Sequence, residues 1–241
     1  EEIREVVKSW RAEACVVVAF GQILGQKFLD LFPNRVVNIH ASLLPHLRGA
    51  APVQRSLMAG ETETGVTLQV MVKKLDAGPV LGMRKISVPE EMNAIELFSE
   101  MIQKGKELLE VDFMDYLRGN LSASPQNEEH ATYAHKIEKS ESKVQWSNSA
   151  KDIHNLVRGL AMGPQAYGVR QEKNLKIHRT KVSTENLSGA PGTLVQKANQ
   201  LFVVCGQGVL ELIEVQPESK PRMSVEDYLR GRPVESGEKL S

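Results

Sequence analysis

Val36-Val37-Asn38-Ile39-His40-Ala41-Ser42-Leu43-Leu44-Pro45 is the stretch that decides how the chain is read. Val36 to Ile39 form a short, mostly β-branched run of the kind that lies inside a sheet covered on both faces. Asn38 and His40 are two residues apart, so on a strand they project to the same side. They stand at its C-terminal end, where open α/β sheets bind ligands. A compact polar loop follows, spanning 40–52 and ending at Pro52.

Upstream, Ile3, Val6, Val7 and Trp10 have helical spacing and lead directly into a β-branched run at 15–20, read as another buried strand that Gly21 ends. Residues 22–31 read as a short helix. Downstream, 52–58 is helical, and 65–71 and 80–88 are strands. In the first of these, Val66, Leu68 and Val70 alternate with Thr67 and Gln69. Residues 94–118 form the clearest amphipathic helix, with Gly119-Asn120 as its stop. Residues 121–131 have the composition of a solvated connector. A helix over 149–161 then gives way to short alternating segments at 166–171, 174–182, 192–198, 200–205 and 208–215. That spacing suggests a small barrel. The tail over 216–241 is polar, with one amphipathic turn near Val225–Leu229. The expected organisation is an α/β domain over 1–122, a linker over 123–148 and a β-rich module over 149–241.

The 241 residues carry 30 basic and 30 acidic side chains, and 41% are hydrophobic. This is ample for a packed core, and it argues against wholesale disorder and against a basic surface over the whole chain. The longest apolar run, Ala14–Phe20, is far below the roughly 18 residues of a membrane span, so no membrane association is expected. The acidic, amphipathic N-terminus is not a secretory signal. Cys15 and Cys205 lie far apart in apolar segments, which speaks for a reducing cytoplasm and against a disulfide framework or thiolate metal site. The neutral total hides a split. Residues 1–130 hold 14 Lys/Arg against 18 Asp/Glu, a net of −4, and residues 131–241 hold 16 against 12, a net of +4. Within 136–181 the balance is 10 against 4, which suits an anionic partner or simply a solvated surface.

Asp76, in the turn Leu75-Asp76-Ala77-Gly78-Pro79, completes a set with Asn38 and His40. Gly78 is expected to permit an unusual backbone there, letting the carboxylate reach back to the imidazole. An amide, an imidazole and a carboxylate without a Ser or Cys nucleophile suit acyl transfer to a substrate that is itself the nucleophile. The amide N–H would hold an oxyanion, the imidazole would move the proton, and the carboxylate would orient the imidazole. No metal is required. Blander readings stand beside this one: a strand-end hydrogen-bonding pair, and a turn-capping Asp76. Ser42 lacks a nucleophile elbow and reads as a loop or binding residue. His46, His130, His135, His154 and His178 have no metal-ligand spacing and are expected at the surface or against a partner. No glycine-rich nucleotide loop is present. Cys15 reads as inert core, and Trp146 and Tyr133 as residues that pack the linker onto a domain.

The motifs at 37–45, Arg48–Arg55, Gly60–Thr67 and Leu75–Gly78, in this order, resemble the folate-dependent formyltransferases. Ala131–Ala134, Ala190–Thr193 and the tail from Met223 to Arg232 extend the likeness, over nearly the whole chain, to the methionyl-tRNA formyltransferases. The resemblance implies a Rossmann-like formyltransferase domain followed by an OB-like barrel. It implies formyl transfer from 10-formyltetrahydrofolate to the amino group of methionyl initiator tRNA. Asn38, His40 and Asp76 would be the catalytic trio. Ser42, Leu43, Leu44 and Pro45 would contact the folate, and Phe20, Gly21, Ile23 and Leu24 would help line the pterin pocket. The second module would touch the tRNA. Related enzymes use amino sugars or nucleotide precursors as acceptors, or hydrolyse the folate, and a tRNA-binding fragment without turnover is a further alternative. Compared with the family, about two to three β-α units are expected to be missing before Glu1. The incomplete sheet would expose its edge and favour poor stability or a dimer. A Trp-Pro turn of the family is replaced by Ala161-Met162-Gly163-Pro164.

Overall fold

The computed structural model describes residues 2–22 and 24–241. The first part of the chain runs α1 (Glu2–Ser9), β1 (Cys15–Val18), α2 (Gln26–Leu29), β2 (Val36–His40), β3 (Arg48–Gly49), α3 (Pro52–Met58), β4 (Glu63–Val70), β5 (Val80–Ser87) and α4 (Ala94–Leu108). A π turn at Leu109–Phe113 carries α4 into α5 (Met114–Leu117), and β6 (Tyr133–Ala134) follows. By backbone proximity the chain falls into two units. One comprises Glu1–Arg55, Thr62–Val88 and Glu96–Lys136; the other comprises Ser56–Glu61, Pro89–Ile95 and Ile137–Ser241.

In the first unit the strand order is β1-β2-β4-β5. β1 and β2 are parallel, as in a Rossmann-like sheet, while β4 and β5 each run antiparallel to their neighbour. The registers Asn38↔Gln69 and His40↔Thr67 put these four polar side chains on one face. The other face carries Ile39, and Gly105 of α4 lies so close that a Cβ there would touch the Ile39 side chain at 3.3 Å. The apolar stripe of α4, with Leu97, Met101 and Leu108 buried, covers this side. The helix expected over 94–118 is therefore present, with one irregularity. The π turn carries Asp112, which pairs with Arg84 of β5 at 2.5 Å.

Two expectations change. The run 15–20 is strand only to Val18, because Ala19 (φ 49°) and Gly21 (φ 65°) take left-handed conformations. It is not a buried strand either: among the described residues β1 pairs on one side only, and Val16 and Val18 are 41% and 58% exposed. Cys15 accordingly lies half-buried at the start of the strand, not at the centre of a core, and burial raises its thiol pKa. The helix expected over 22–31 shrinks to Gln26–Leu29. Phe28, Leu29, Leu31 and Phe32 still pack with Val7 and Val36.

The second unit holds α6 (Ala150–Gly159), β7 (Tyr167–Arg170), β8 (Lys173–Ser183), β9 (Leu194–Lys197), β10 (Gln200–Val204), β11 (Val209–Pro217), β12 (Met223–Ser224) and α7 (Val225–Gly231). Ser149 and Ser224 cap α6 and α7 by accepting from the N–H of Asp152 and Asp227. The sheet is antiparallel throughout, in the order β7-β8-β11-β10-β9 with β12 on β11. Ile153 and Val157 of α6, and Leu160 at its C-cap, enter its core with Leu175, Ile177, Leu201, Leu210, Val215 and Trp146. His154, expected at the surface, is buried instead. Its Nε2 donates to the Glu90 carbonyl (3.0 Å), which leaves Nδ1 to accept from the Thr180 hydroxyl (2.9 Å).

The polar tail does structural work that its composition hides. Ser241 exchanges backbone bonds with Val169 of β7, while Leu240 donates to Gly192 and Leu194 of β9 donates to Glu238. The last residues thus tie together the two ends of the curled sheet, whose edges would otherwise lie open. Arg170 locks this join. It is 5% exposed and donates to both Glu238 carboxylate oxygens (2.8 and 2.6 Å), to the Tyr228 hydroxyl and to the Pro233 carbonyl. The Arg170 bonds hold the Glu238 carboxyl below the ordinary carboxylate range. Glu238→Ala leaves a buried guanidinium without its counter-charge and is expected to cost about 3–5 kcal/mol at pH 7 by urea unfolding. Because the folded pKa is depressed, this contribution is complete above the unfolded value and is lost as pH falls through the folded one. The difference between parent and variant should therefore narrow in acid. A pH-independent difference would show that the pair is not its source.

Candidate active site

The polar face of the first sheet is made by β2 and β4. Asn38 is half-buried, and its side chain has no hydrogen-bond partner among the described residues. His40 is buried and its Nε2 lies 2.9 Å from the Leu47 carbonyl. A carbonyl only accepts, so Nε2 carries the hydrogen. That leaves Nδ1 as the nitrogen facing Asp76 Oδ2, at 3.7 Å. Leu47 (φ 56°) and Gly49 (φ 116°) are both left-handed, so the chain doubles back and presents the Leu47 carbonyl and the Gly49 N–H to the site. The orienting bond to His40 thus comes from Leu47. Asp76 was expected to supply it, but the carboxylate stands beyond hydrogen-bond length and acts by charge.

Asp76 arrives by an indirect route. In register, Val70 at the end of β4 lies opposite Val37 near the start of β2. The β4–β5 connection therefore leaves from the end of β2 remote from His40 and must fold back across the polar face. Asp76 turns in a left-handed conformation (φ 48°), which short polar residues tolerate. Its Oδ2 accepts from Gly49 N–H (2.9 Å) and its Oδ1 from Gln69 Nε2 (3.1 Å). Gln69 Oε1 in turn accepts from Gly78 N–H (3.2 Å). Gly78 is needed for a reason other than the expected one: its φ is not positive, but a Cβ there would lie 1.6 Å from the Val70 carbonyl oxygen.

The segment after α5, which composition marks as solvated, is tied to these loops by backbone and side chain. Ser124 and Val80 exchange backbone bonds (2.7 and 2.8 Å), and β6 pairs in parallel with β3. Gln126 Nε2 donates to the carbonyls of Asp76 (2.8 Å) and Gly78 (2.7 Å), while its Oε1 accepts from Arg48 Nε and Nη2. Arg48 is fully buried and forks onto Glu128 (3.0 and 3.1 Å). The bonds from Arg48, and then from Lys74, hold the exposed Glu128 carboxyl down at about 2. The Glu128 bond outweighs burial and keeps Arg48 charged. The Thr132 hydroxyl accepts from Leu47 N–H and lies 2.7 Å from His46 Nδ1.

The structure therefore brings Asn38, His40 and Asp76 onto one face. Of the loop, Ser42 and Leu44 are turned inward. The Ser42 hydroxyl donates to the His46 carbonyl, its own carbonyl accepts from Thr67 Oγ1 (2.7 Å), and Leu44 N–H donates to the same hydroxyl (3.0 Å). Leu43 and Pro45 are half-buried. Phe20 (52% exposed) and Gly21 leave β1 at the same sheet end as His40 leaves β2, since the two strands are parallel. Leu24 packs with Leu29 and Val36, and Ile23 lies outside the described residues. Sequence reasoning missed Gln69, Gln126 and Arg48. For Gln69 a signal existed, in the polar face of an otherwise apolar strand. Among the described residues no group of three His, Cys, Asp or Glu side chains could hold a metal, and no helix is long and apolar enough to cross a membrane. Gly78→Ala forces a methyl into the Val70 carbonyl and should destabilise by roughly 1–3 kcal/mol or more. Thermal unfolding at parent stability would contradict so tight a crossing.

Residues 1–111 match the family model described as formyl transferase, and 136–233 match the formyl transferase C-terminal domain. A curated methionyl-tRNA formyltransferase of Bdellovibrio bacteriovorus is 50% identical over 238 residues, which is 97% of this chain and 75% of that protein. One of Methylobacterium sp. is 40% identical over 244 residues, covering all of this chain and 77% of that protein. The crystal structure of HypX from Aquifex aeolicus in complex with tetrahydrofolic acid superposes with a TM-score of 0.74. At 16% identity it covers 98% of this chain and 43% of HypX, a likeness of fold. By the paired domain matches and the 50% identity, the chain belongs to the formyl transferase family, among the methionyl-tRNA formyltransferases, and is a transferase enzyme.

Proposed function

We propose that the protein transfers a formyl group from 10-formyltetrahydrofolate to the α-amino group of methionyl initiator tRNA, with Asn38, His40 and Asp76 as its catalytic residues. One observation carries the reading: in a chain of this family, an unpartnered amide, an oriented imidazole and an anchored carboxylate share one sheet face. The acceptor nitrogen attacks the formyl carbon as the neutral amine, and α-amino groups with a pKa of roughly 7.7–8.0 supply enough of it near neutral pH. The Asn38 N–H holds the oxyanion that forms as the new C–N bond closes. His40 Nδ1, free because Nε2 is committed to Leu47, takes the proton from the attacking nitrogen. It delivers that proton to the folate nitrogen as the old C–N bond breaks. Asp76 stabilises the positive charge carried by the ring in between.

The folate is proposed to lie at the sheet end where β1 and β2 deliver Phe20–Leu24 and Ser42–Pro45. Since Ser42 and Leu44 are buried, the loop would meet it through Leu43, Pro45 and backbone groups. The tRNA acceptor is supported by the name borne by the curated relatives and by charge in the second unit. Lys173, Lys176, Arg179 and Lys181 of β8 are all exposed, as are Lys139, Lys143 and Lys151. The test supplies labelled 10-formyltetrahydrofolate with methionyl initiator tRNA, a nucleotide-linked amino sugar, or water alone. Label appearing on methionyl-tRNA, with an affinity that falls steeply with salt, supports the reading. Label transferred only to the sugar, or released only as formate, overturns the acceptor. Asn38→Ala is expected to lower kcat by on the order of 10²–10³ with little change in stability. Activity within about twofold of the parent would remove the amide from the mechanism.

A further inference from the structure

We infer that Gln126 is a positioning residue for the Asp76 carboxylate, an inference that rests on the formyl-transfer reading of the site. Its amide has only one chemically sensible orientation. The guanidinium of Arg48 offers donors and no acceptor, so the end facing it, at 2.7 and 3.1 Å, is the oxygen. The NH₂ end therefore meets the carbonyls of Asp76 and Gly78, and its two hydrogens match two acceptors at 2.8 and 2.7 Å. Gln126 thus grips the main chain on both sides of Ala77, in the loop that folds back from the wrong end of the sheet. The Asp76 side chain has its own anchors, Gly49 N–H and Gln69, but these fix the carboxylate only if the backbone behind it stays in place.

The grip is held firmly from the other direction. Backbone bonds between Ser124 and Val80 fix the chain just before Gln126. After it, Thr132 N–H donates to the Pro45 carbonyl and Arg48 N–H donates to the Thr132 carbonyl. Arg48 is fully buried and is itself clamped by Glu128 from the same segment. The stretch 124–134 therefore splints two loops at once: the one that gives Leu47 to His40 and Gly49 to Asp76, and the one that carries Asp76. Without the Gln126 amide two loop carbonyls lose their donor, and the bond from Gly78 N–H to Gln69 Oε1 (3.2 Å), on the far side of Ala77 from Asp76, is left to hold the backbone there.

Gln126→Met keeps length and bulk and removes the donors, and Glu129→Gln on the same exposed turn serves as the control. In the parent protein, Gln126→Met is expected to lower kcat by roughly 10–10²-fold while KM for the folate changes by less than about twofold. In an Asp76→Ala background the same change should cost less than about twofold, because the carboxylate it positions is gone. A kcat within about twofold of the parent, or a full additive loss on top of Asp76→Ala, overturns the inference. If the parent itself transfers no formyl group, the functional reading has failed and the positioning claim is judged by NMR of the His40 ring nitrogens. Gln126→Met should then move them in the direction that Asp76→Ala does, and unchanged parent shifts overturn the claim.

Discussion

A carboxylate has to be carried back over the face of a sheet from its far end. The rest of the first unit is arranged around that constraint. Asp76 follows a strand that runs antiparallel to the one bearing Asn38 and His40, so the plain course of the chain takes it away from the imidazole. Its return needs a backbone crossing at Gly78 too close for any side chain, a left-handed turn at Asp76, and partners for the Asp76 carboxylate and for the Asp76 and Gly78 backbone. Gln69 of β4 and Gly49 supply those for the carboxylate and the Gly78 N–H, and Gln126 supplies those for the two carbonyls. A buried polar network of this kind holds a single geometry only when it is fully satisfied. Here the Asp76 oxygens, the Gly78 N–H and C=O and both ends of Gln126 are all paired.

Among the described residues the Asn38 amide on that face has no hydrogen-bond partner, and this inequality gives the site its chemical direction. Where polar groups around it are committed to one another, the unpaired donor is the one ready for an incoming oxygen, with no internal bond to break first. His40 shows the same logic within one ring. Fixing Nε2 on Leu47 selects the tautomer and leaves Nδ1 to exchange a proton. The bond that fixes it comes from a residue held left-handed by the 45–50 loop, and that loop is pinned by Thr132. Preorganisation in this protein is therefore a property of three crossing loops more than of the strand that carries two of the three catalytic candidates.

The sequence made the strand legible and the loops illegible, for reasons that differ residue by residue. Period-two geometry is local, so Val36–Ile39 suffices to place Asn38 and His40 on one side before any partner is known. The amphipathic run 94–118 and the alternating segments after 165 are legible for the same reason. Strand direction is not local: the reach of Asp76 depends on β4 being antiparallel to β2, and no pattern within 75–79 contains that. Exposure of β1 escaped because a β-branched run reads alike at an edge and at a centre. His154 escaped because its partners, Thr180 and the Glu90 carbonyl, come from distant segments.

Segments rich in Gln, Asn, Ser and Glu are the hardest case, since the groups that make them soluble are also the groups that satisfy buried backbone. The stretch 121–131 and the tail at 238–241 both have the composition of solvated chain. Yet one holds the carbonyls behind Asp76 and the other joins the ends of a curled sheet through Arg170 and Glu238. Composition distinguishes neither from a true linker, because a hydrogen bond to a carbonyl leaves no periodic trace. What separates them physically is the nature of the partner. A glutamine that faces water is exchangeable for any polar residue, whereas Gln126 must offer two donors at one end and an acceptor at the other. Glutamate has the shape but would set a carboxylate oxygen against two carbonyls, and methionine has the bulk but no donors. The polar loop is thereby as tightly specified as the core beneath it, by the direction of its hydrogen bonds where the core is specified by volume.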